Sequence, residues 1–117
     1  MSYTFADVIA VLRLARQRIE TGWVRGTLID QGRYCLIGAC GVRPVQEDEF
    51  SATQEAIRLL CEGLRPDSRP WERGSYAGGL TGFNDDPATT VEAVLAVLDR
   101  AVELAEVRTR YRKEHDD

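Results

Sequence analysis

The sequence predicts an all-α or mainly α fold, a small irregular bundle of three to four helices. Two observations carry this prediction. Apolar residues recur at the spacing of a helical stripe in three separate stretches, each near a residue suited to open or close a helix. The chain of 117 residues is 44% hydrophobic and 29% charged, the balance of one globular domain over 1–117 that buries a core without staples. One stretch stays open between two structures. At about 23–40 a short hairpin would make the fold α+β, and that is the alternative.

The elements follow in chain order. From Thr4 to about Thr21, the residues Phe5, Val8, Ile9, Leu12, Ala15, Arg16 and Ile19 fall on one helical face. Thr4 supplies an oxygen for free backbone N–H groups, Asp7 places an acid at the positive end of the helix, and Gly22 is a natural stop. Between Trp23 and Val42, the run Tyr34-Cys35-Leu36-Ile37-Gly38-Ala39-Cys40 is nearly continuous apolar and fits a buried strand or a buried helical turn. A strand over Trp23–Ile29, turned by Asp30-Gln31-Gly32 into a strand over Tyr34–Ala39, is the hairpin version. A short helix is slightly favoured, because Gly38-Ala39 would let another helix pack closely.

After the acidic turn Gln46-Glu47-Asp48-Glu49, Ser51 and Gln54 have capping-box spacing and open a helix to Leu64, with Ala56, Ile57, Leu60, Cys61 and Leu64 inward. Arg65 to Gly82 holds Pro66, Pro70, Gly74, Gly78, Gly79 and Gly82 and reads as a long loop. The last helix starts at the turn Asn84-Asp85-Asp86-Pro87, with Thr89 and Glu92 as a second capping box. It runs through Val91, Val94, Leu95, Leu98, Ala101, Val102 and Ala105 to about Arg112. The polar tail, about 109–117, is expected to fray.

Composition excludes several classes of function. No run of eighteen apolar residues spans a bilayer, and Met1–Asp7 has neither the basic start nor the apolar stretch of a secretory signal, so a cytoplasmic protein is expected. Cys35, Cys40 and Cys61 are odd in number and set among apolar neighbours. They read as small core residues, with no disulfides and no metal-ligand spacing. Fourteen arginines against the single Lys113 suggest a GC-rich genome, which bears on origin and not on mechanism.

Three stretches taken together carry a resemblance: Gly22-Trp23-Val24-Arg25-Gly26, Tyr34-Cys35-Leu36-Ile37-Gly38-Ala39, and Phe83-Asn84-Asp85-Asp86-Pro87 leading to Leu98-Asp99-Arg100-Ala101. The chain resembles a family of small proteins from actinobacteria and their phages and plasmids, catalogued as a domain of unknown function. That family typically has a Trp before a glycine turn, a Trp-Cys-x-x-Gly-Ala segment and a Trp-Asn-Asp motif before a terminal amphipathic helix. Here Tyr34 and Phe83 stand where tryptophans are usual. The resemblance implies a shared small fold with Trp23, Gly26, Cys35, Gly38 and Phe83 as structural motif positions, and it transfers no catalytic residue.

Among polar residues, Asn84-Asp85-Asp86 is the sharpest cluster. Such carboxylates bind metals or move protons in enzymes, but Asn and Asp ahead of a helix also cap its free N–H groups, and the capping role is the stronger expectation. The run Gly74–Gly82 lacks the Gly-Lys-Ser/Thr ending of a phosphate loop and reads as a flexible loop. The single histidine, His115, lies in the polar tail, which argues against a Cys-His or Ser-His-Asp arrangement. Basic residues gather at Arg13, Arg16 and Arg18 and at Arg108, Arg110, Arg112 and Lys113, yet the net charge of −4 argues against nucleic acid as the main partner. Trp23 and Phe83 are expected to lid the core, whereas Trp71 and Tyr76, in the long loop, are candidate partner contacts.

The function expected from these features is that of a non-enzymatic accessory or interaction protein without a cofactor. Its surface would combine the 65–82 loop with the edge near Asn84 and Asp85. A homodimer through helix faces is the simplest partner, since Val11, Leu14, Val97 and Leu104 widen the apolar sides of the first and last helices. The alternatives are a small ligand- or metal-binding domain or enzyme built on Asn84, Asp85 and Asp86, and a DNA-associated regulator whose arginine clusters share one face.

Overall fold

In the computed structural model, which describes residues 4–41, 52–64 and 76–115 (the backbone alone for 76–79 and 111–115), Thr4 opens the first helix through a reciprocal pair. Its hydroxyl accepts from the Asp7 N–H at 3.2 Å, and its own N–H donates to the Asp7 carboxylate at 2.9 Å. The helix, α1, runs Phe5–Thr21 and buries Val8, Leu12, Ala15 and Ile19, the inner line of the predicted stripe. Arg16, at the margin of that stripe, turns outward to Asp99 and Glu20. The Gly22 N–H closes the helix on the Arg18 carbonyl.

Both alternatives for 23–40 are present, in shortened form. A two-stranded antiparallel hairpin pairs β1, Ile29–Asp30, with β2, Arg33–Tyr34. Gln31 and Gly32 turn between them with φ of 50° and 80°, the doubly left-handed geometry of a tight two-residue hairpin loop. The predicted long strands are corrected on both sides. Trp23 contributes only a single parallel bridge to Tyr34, and Leu36–Ala39 is a helical turn, α2. The expectation that Gly38 admits another helix is corrected too. The Leu28 backbone lies against Gly38, and a Cβ there would meet the Leu28 carbonyl oxygen at 2.2 Å. The same carbonyl accepts from the Cys35 N–H at 3.0 Å, so the chain is held at Leu28 from both directions.

The third helix, α3, spans Ala52–Gly63 and buries Ala56, Ile57, Leu59 and Leu60, with Cys61 only half-buried. Ser51, the expected cap, lies outside the described residues. The helix ends on side chains from far along the chain. Arg100 Nε donates to the Gly63 carbonyl at 2.6 Å, and Arg108 makes a two-pronged ion pair with Glu62.

The largest correction concerns the long loop. Its last part is helical: α4 covers Tyr76–Asp85 and packs against α2 and α3. Intrinsic propensity argues against a helix with glycines at 78, 79 and 82, but Leu80 is fully buried, and that tertiary anchoring overrides the propensity. A second correction follows at once. Asn84 and Asp85 end α4; they do not start the last helix. The Asp86 carboxylate accepts from the Ala88 N–H at 2.8 Å to form the turn, and the cap of the last helix is Thr90, one residue beyond the expected Thr89, through the Ala93 N–H at 3.2 Å.

The last helix, α5, spans Val91–His115, so part of the tail expected to fray continues the helix. It lies antiparallel to α1. Arg13 pairs with Glu106 and Arg16 with Asp99, so positions rise along one helix as they fall along the other. α1 also packs on α2 and α3, and α3 on α5, around one core that includes Leu12, Ile19, Leu36, Leu60, Leu80, Val94 and Leu98. Val97, expected on an outer apolar face, is 1% exposed and lies against Gly63 in this core. Val11 and Leu104 are half-buried against the same core, which leaves Leu14 as the exposed member of that set.

Because the Leu28 backbone leaves no room for a β-carbon at position 38, Gly38→Ala must push the hairpin off α2. The expected loss is roughly 1–3 kcal/mol, the usual range for overpacking. Urea unfolding followed by circular dichroism measures it, with an unchanged midpoint as the contrary result.

Candidate functional site

Three chain segments converge where α4 ends: the stretch after α1, the start of α2 and the last turn of α4. Their junction is the side-chain amide of Asn84, which is 1% exposed. Its Oδ1 accepts from the Trp23 indole Nε1 at 2.7 Å and from the Leu36 N–H at 3.0 Å. Its Nδ2 donates to the Val24 carbonyl and to Asp85 Oδ1, each at 3.0 Å. An amide has two donors and two acceptor positions, and all four are used. Asp85 Oδ1 also accepts from the Gly26 N–H at 2.9 Å, which ties the loop after Trp23 to the end of α4. Arg25 stacks on the Trp23 ring at 4.5 Å and donates to the Thr89 carbonyl, so the outer side of this junction is fastened to the approach to α5.

Beside the junction is a cleft of about 210 Å³ lined by Gly26, Thr27, Leu28, Cys35, Ile37, Thr81, Asn84 and Asp85. It is smaller than the roughly 300–1,000 Å³ of drug-sized ligand sites. Cys35 caps α2 there, its Sγ accepting from the Gly38 N–H at 3.3 Å. Burial pushes the Cys35 thiol up, and burial pushes Cys40 up to about 12 from an ordinary 9.0. Both are therefore neutral thiols at neutral pH, poor nucleophiles and poor metal ligands in that form.

Of the residues singled out from sequence, Trp23, Gly26, Cys35, Asn84 and Asp85 meet at this one place. Gly38 supports it from below, and Phe83 packs half-buried against the core. Asp86 is one residue away in the turn. Trp71 lies outside the described residues, and Tyr76 is the first residue of α4, at its far end from Asn84. Sequence reasoning missed Leu28, Ile37 and Thr81, whose signal was the apolar pair Leu28-Ile29 beside Gly26 and the position of Thr81 one helical turn before Asn84 and Asp85. Within the basic clusters, Arg13 pairs with Glu106, Arg16 with Asp99 and Glu20, and Arg108 with Glu62, whereas Arg18 donates to the Ala39 carbonyl and lies over the Tyr34 ring. Among the described residues, no group of three or more His, Cys, Asp or Glu is placed to hold a metal ion, and no helix is long and apolar enough to cross a membrane.

Fold and junction together define a class: a small mainly α protein whose irregular middle is organised by a buried asparagine and a tryptophan. The chain belongs to the Family of unknown function (DUF6197), whose model matches residues 5–104, a span that contains the whole junction. Neither a curated protein nor a solved structure matches the chain.

Replacing Asn84 with Ala strands the Trp23 indole N–H, the Leu36 N–H and the Val24 carbonyl at a buried position. A loss of at least about 2 kcal/mol in the urea-unfolding free energy is expected, since each buried unsatisfied polar group costs about 1–3 kcal/mol; a loss under half of that would show that water replaces the amide.

The thiols give a second prediction. In the native chain at pH 8, iodoacetamide should modify half-buried Cys61 well before Cys35 and Cys40, read by peptide mass mapping. The unfolded Cys40 thiol ionises near 9 and the folded one near 12, so folding stability should fall as pH rises from about 9 towards 12. A Cys40→Ala variant should flatten that decline.

Proposed function

We propose that this chain is a non-enzymatic cytoplasmic accessory protein of an actinobacterium or of its phages or plasmids, which acts by binding another protein. The observation that carries this function is the entry to the hairpin at Leu28 and Ile29, away from its Gln31-Gly32 turn. Leu28 is 44% and Ile29 is 53% exposed, and the backbone beneath them is fixed by the Cys35 N–H on the Leu28 carbonyl and by the Asp85 carboxylate on the Gly26 N–H. Adjacent large apolar side chains held out by a rigid support are suited to contact, because little ordering entropy is left to lose on binding. The polar cluster supports the same function from the other side. Asn84, Asp85 and Asp86 are engaged in organising the chain, where an enzyme would aim such groups at a substrate. The bias of fourteen arginines to one lysine supports the origin.

The DNA-regulator alternative draws little support, because the acids that pair with Arg13, Arg16 and Arg108 take up charge that phosphates would need. The test places a photo-cross-linking amino acid at position 29 and, as a control, at exposed position 17, in the producing cell. One discrete protein adduct specific to position 29 is expected, with the purified chain at its bare mass in native mass spectrometry. A stoichiometric retained small molecule or ion, or the absence of an adduct specific to position 29, overturns this function.

A further inference from the structure

The hydrogen bonds of the hairpin assign a direction to each backbone group of β1. In an antiparallel pair, residues that exchange hydrogen bonds alternate with residues whose N–H and C=O both point away from the partner strand. The Cys35 N–H donates to the Leu28 carbonyl, so Leu28 and Cys35 are a bonded pair, and Ile29 and Tyr34, next in register, are an outward-facing pair. Tyr34 obeys this pattern. Its N–H donates to the Gly22 carbonyl at 2.9 Å and its carbonyl accepts from the Val24 N–H at 3.1 Å, on the side of β2 away from β1. By the same geometry the Ile29 N–H and C=O point away from β2, and no described residue pairs with them. Among the described residues β2 is thus covered on both edges, whereas β1 has an open edge at Ile29, its most exposed residue.

Leu28, the residue before Ile29, lines the cleft together with Cys35, Ile37 and Thr81, and among the lining residues Asp85 is the one charged side chain. Resting on the protein-binding function above, we propose that β1 is a docking edge for an extended segment of a partner protein. The segment pairs with Ile29 as an added strand, sets one apolar side chain into the cleft, and carries a neutral or basic residue beside that anchor. Strand addition supplies affinity through main-chain bonds and selectivity through the side-chain pocket. A second copy of this chain fits less well. Ile29 is the one outward-facing position of β1, so a two-fold pairing must set Ile29 against Ile29, which places Leu28 opposite the Asp30 carboxylate of the other copy.

The experiment uses the full chain, labelled with nitrogen-15, and a phage-displayed library of random twelve-residue peptides as the probe. In the free chain, the Ile29 amide should exchange with solvent like an exposed amide. Selected peptides should contain an apolar anchor with neutral or basic neighbours, and on binding should shift and protect the Ile29 amide. Ile29→Pro removes the outward N–H without touching a bond of the hairpin, and should weaken peptide binding by about tenfold, as expected for loss of a main-chain bond and its neighbour. Thr81→Phe, which narrows the cleft, should weaken it comparably and keeps the test valid if the proline variant misfolds.

Four results overturn the proposal: an Ile29 amide already protected in the free chain, a dimer in light scattering that Ile29→Pro dissolves, peptides that bind both variants as tightly as the parent, or a library that yields no binder. A discrete cross-link from position 29 combined with any of these would retain the protein-binding function and discard strand addition, whereas a retained small molecule would discard the function itself.

Discussion

The four hydrogen bonds of the Asn84 amide are the constraint on which the middle of this protein depends. Short pieces of chain, each too brief to be stable alone, meet there: the Trp23–Val24 stretch, the first N–H of α2 and the last turn of α4. Burial of Leu36, Ile37 and Leu80 anchors two of these pieces, but apolar contact is non-directional and leaves their relative position open. A buried amide with every donor and acceptor engaged specifies it instead, because any other arrangement leaves polar groups unpaired away from water. Asp85 extends the same network to Gly26, and Arg25 stacked on Trp23 carries it to the approach to α5.

Around that junction the helices pack in a simple way. α1, α3 and α5 supply long apolar stripes that close one core, and their charged flanks join in exposed pairs such as Arg13 with Glu106 and Arg16 with Asp99, each worth little on its own. The stripes provide bulk stability and the amide provides specification. This division explains why the irregular segment holds most of the residues that drew attention in the sequence, together with the cleft beside Asn84 and the exposed pair Leu28-Ile29.

The helices that follow a 3.6-residue period are legible from sequence, as is the opening of α1 at Thr4 with an acid at Asp7, because burial and period are the same fact seen twice; that Thr4 and Asp7 bond reciprocally is seen only in the structure. α4 was hidden by Gly78, Gly79 and Gly82, which argue for a loop until the burial of Leu80 is known. The hairpin and α2 are each visible in the sequence as alternatives, since strands of two residues leave no alternation to count. Asn84 reads from sequence as a cap of the last helix, whereas in the structure it ends α4 and bonds to Trp23 and Leu36. An Asx residue before an Asp-Pro turn looks like a cap for the helix that follows, and only the three-dimensional approach of Trp23, some sixty residues earlier, shows that it faces the other way. The convergence of Trp23, Gly26, Cys35, Asn84 and Asp85 on one junction was therefore present in the motifs but not their geometry.

The antiparallel pairing of α1 with α5 also has a consequence for how the chain is made. Residues joined across that interface are 83 and 93 positions apart, so α1 is made well before its main partner, α5. Until then Val8, Leu12, Ala15 and Ile19 have α2, α3 and β2 to pack against, and the loop that must finally close spans 83 positions between Arg16 and Asp99. Closing so long a loop adds little to the equilibrium cost, which grows only logarithmically with length, but it defers the decisive contact. Assembly of this fold is thus governed by the meeting of α1 and α5, and nascent chains that lack α5 expose the stripe on which the finished core is built.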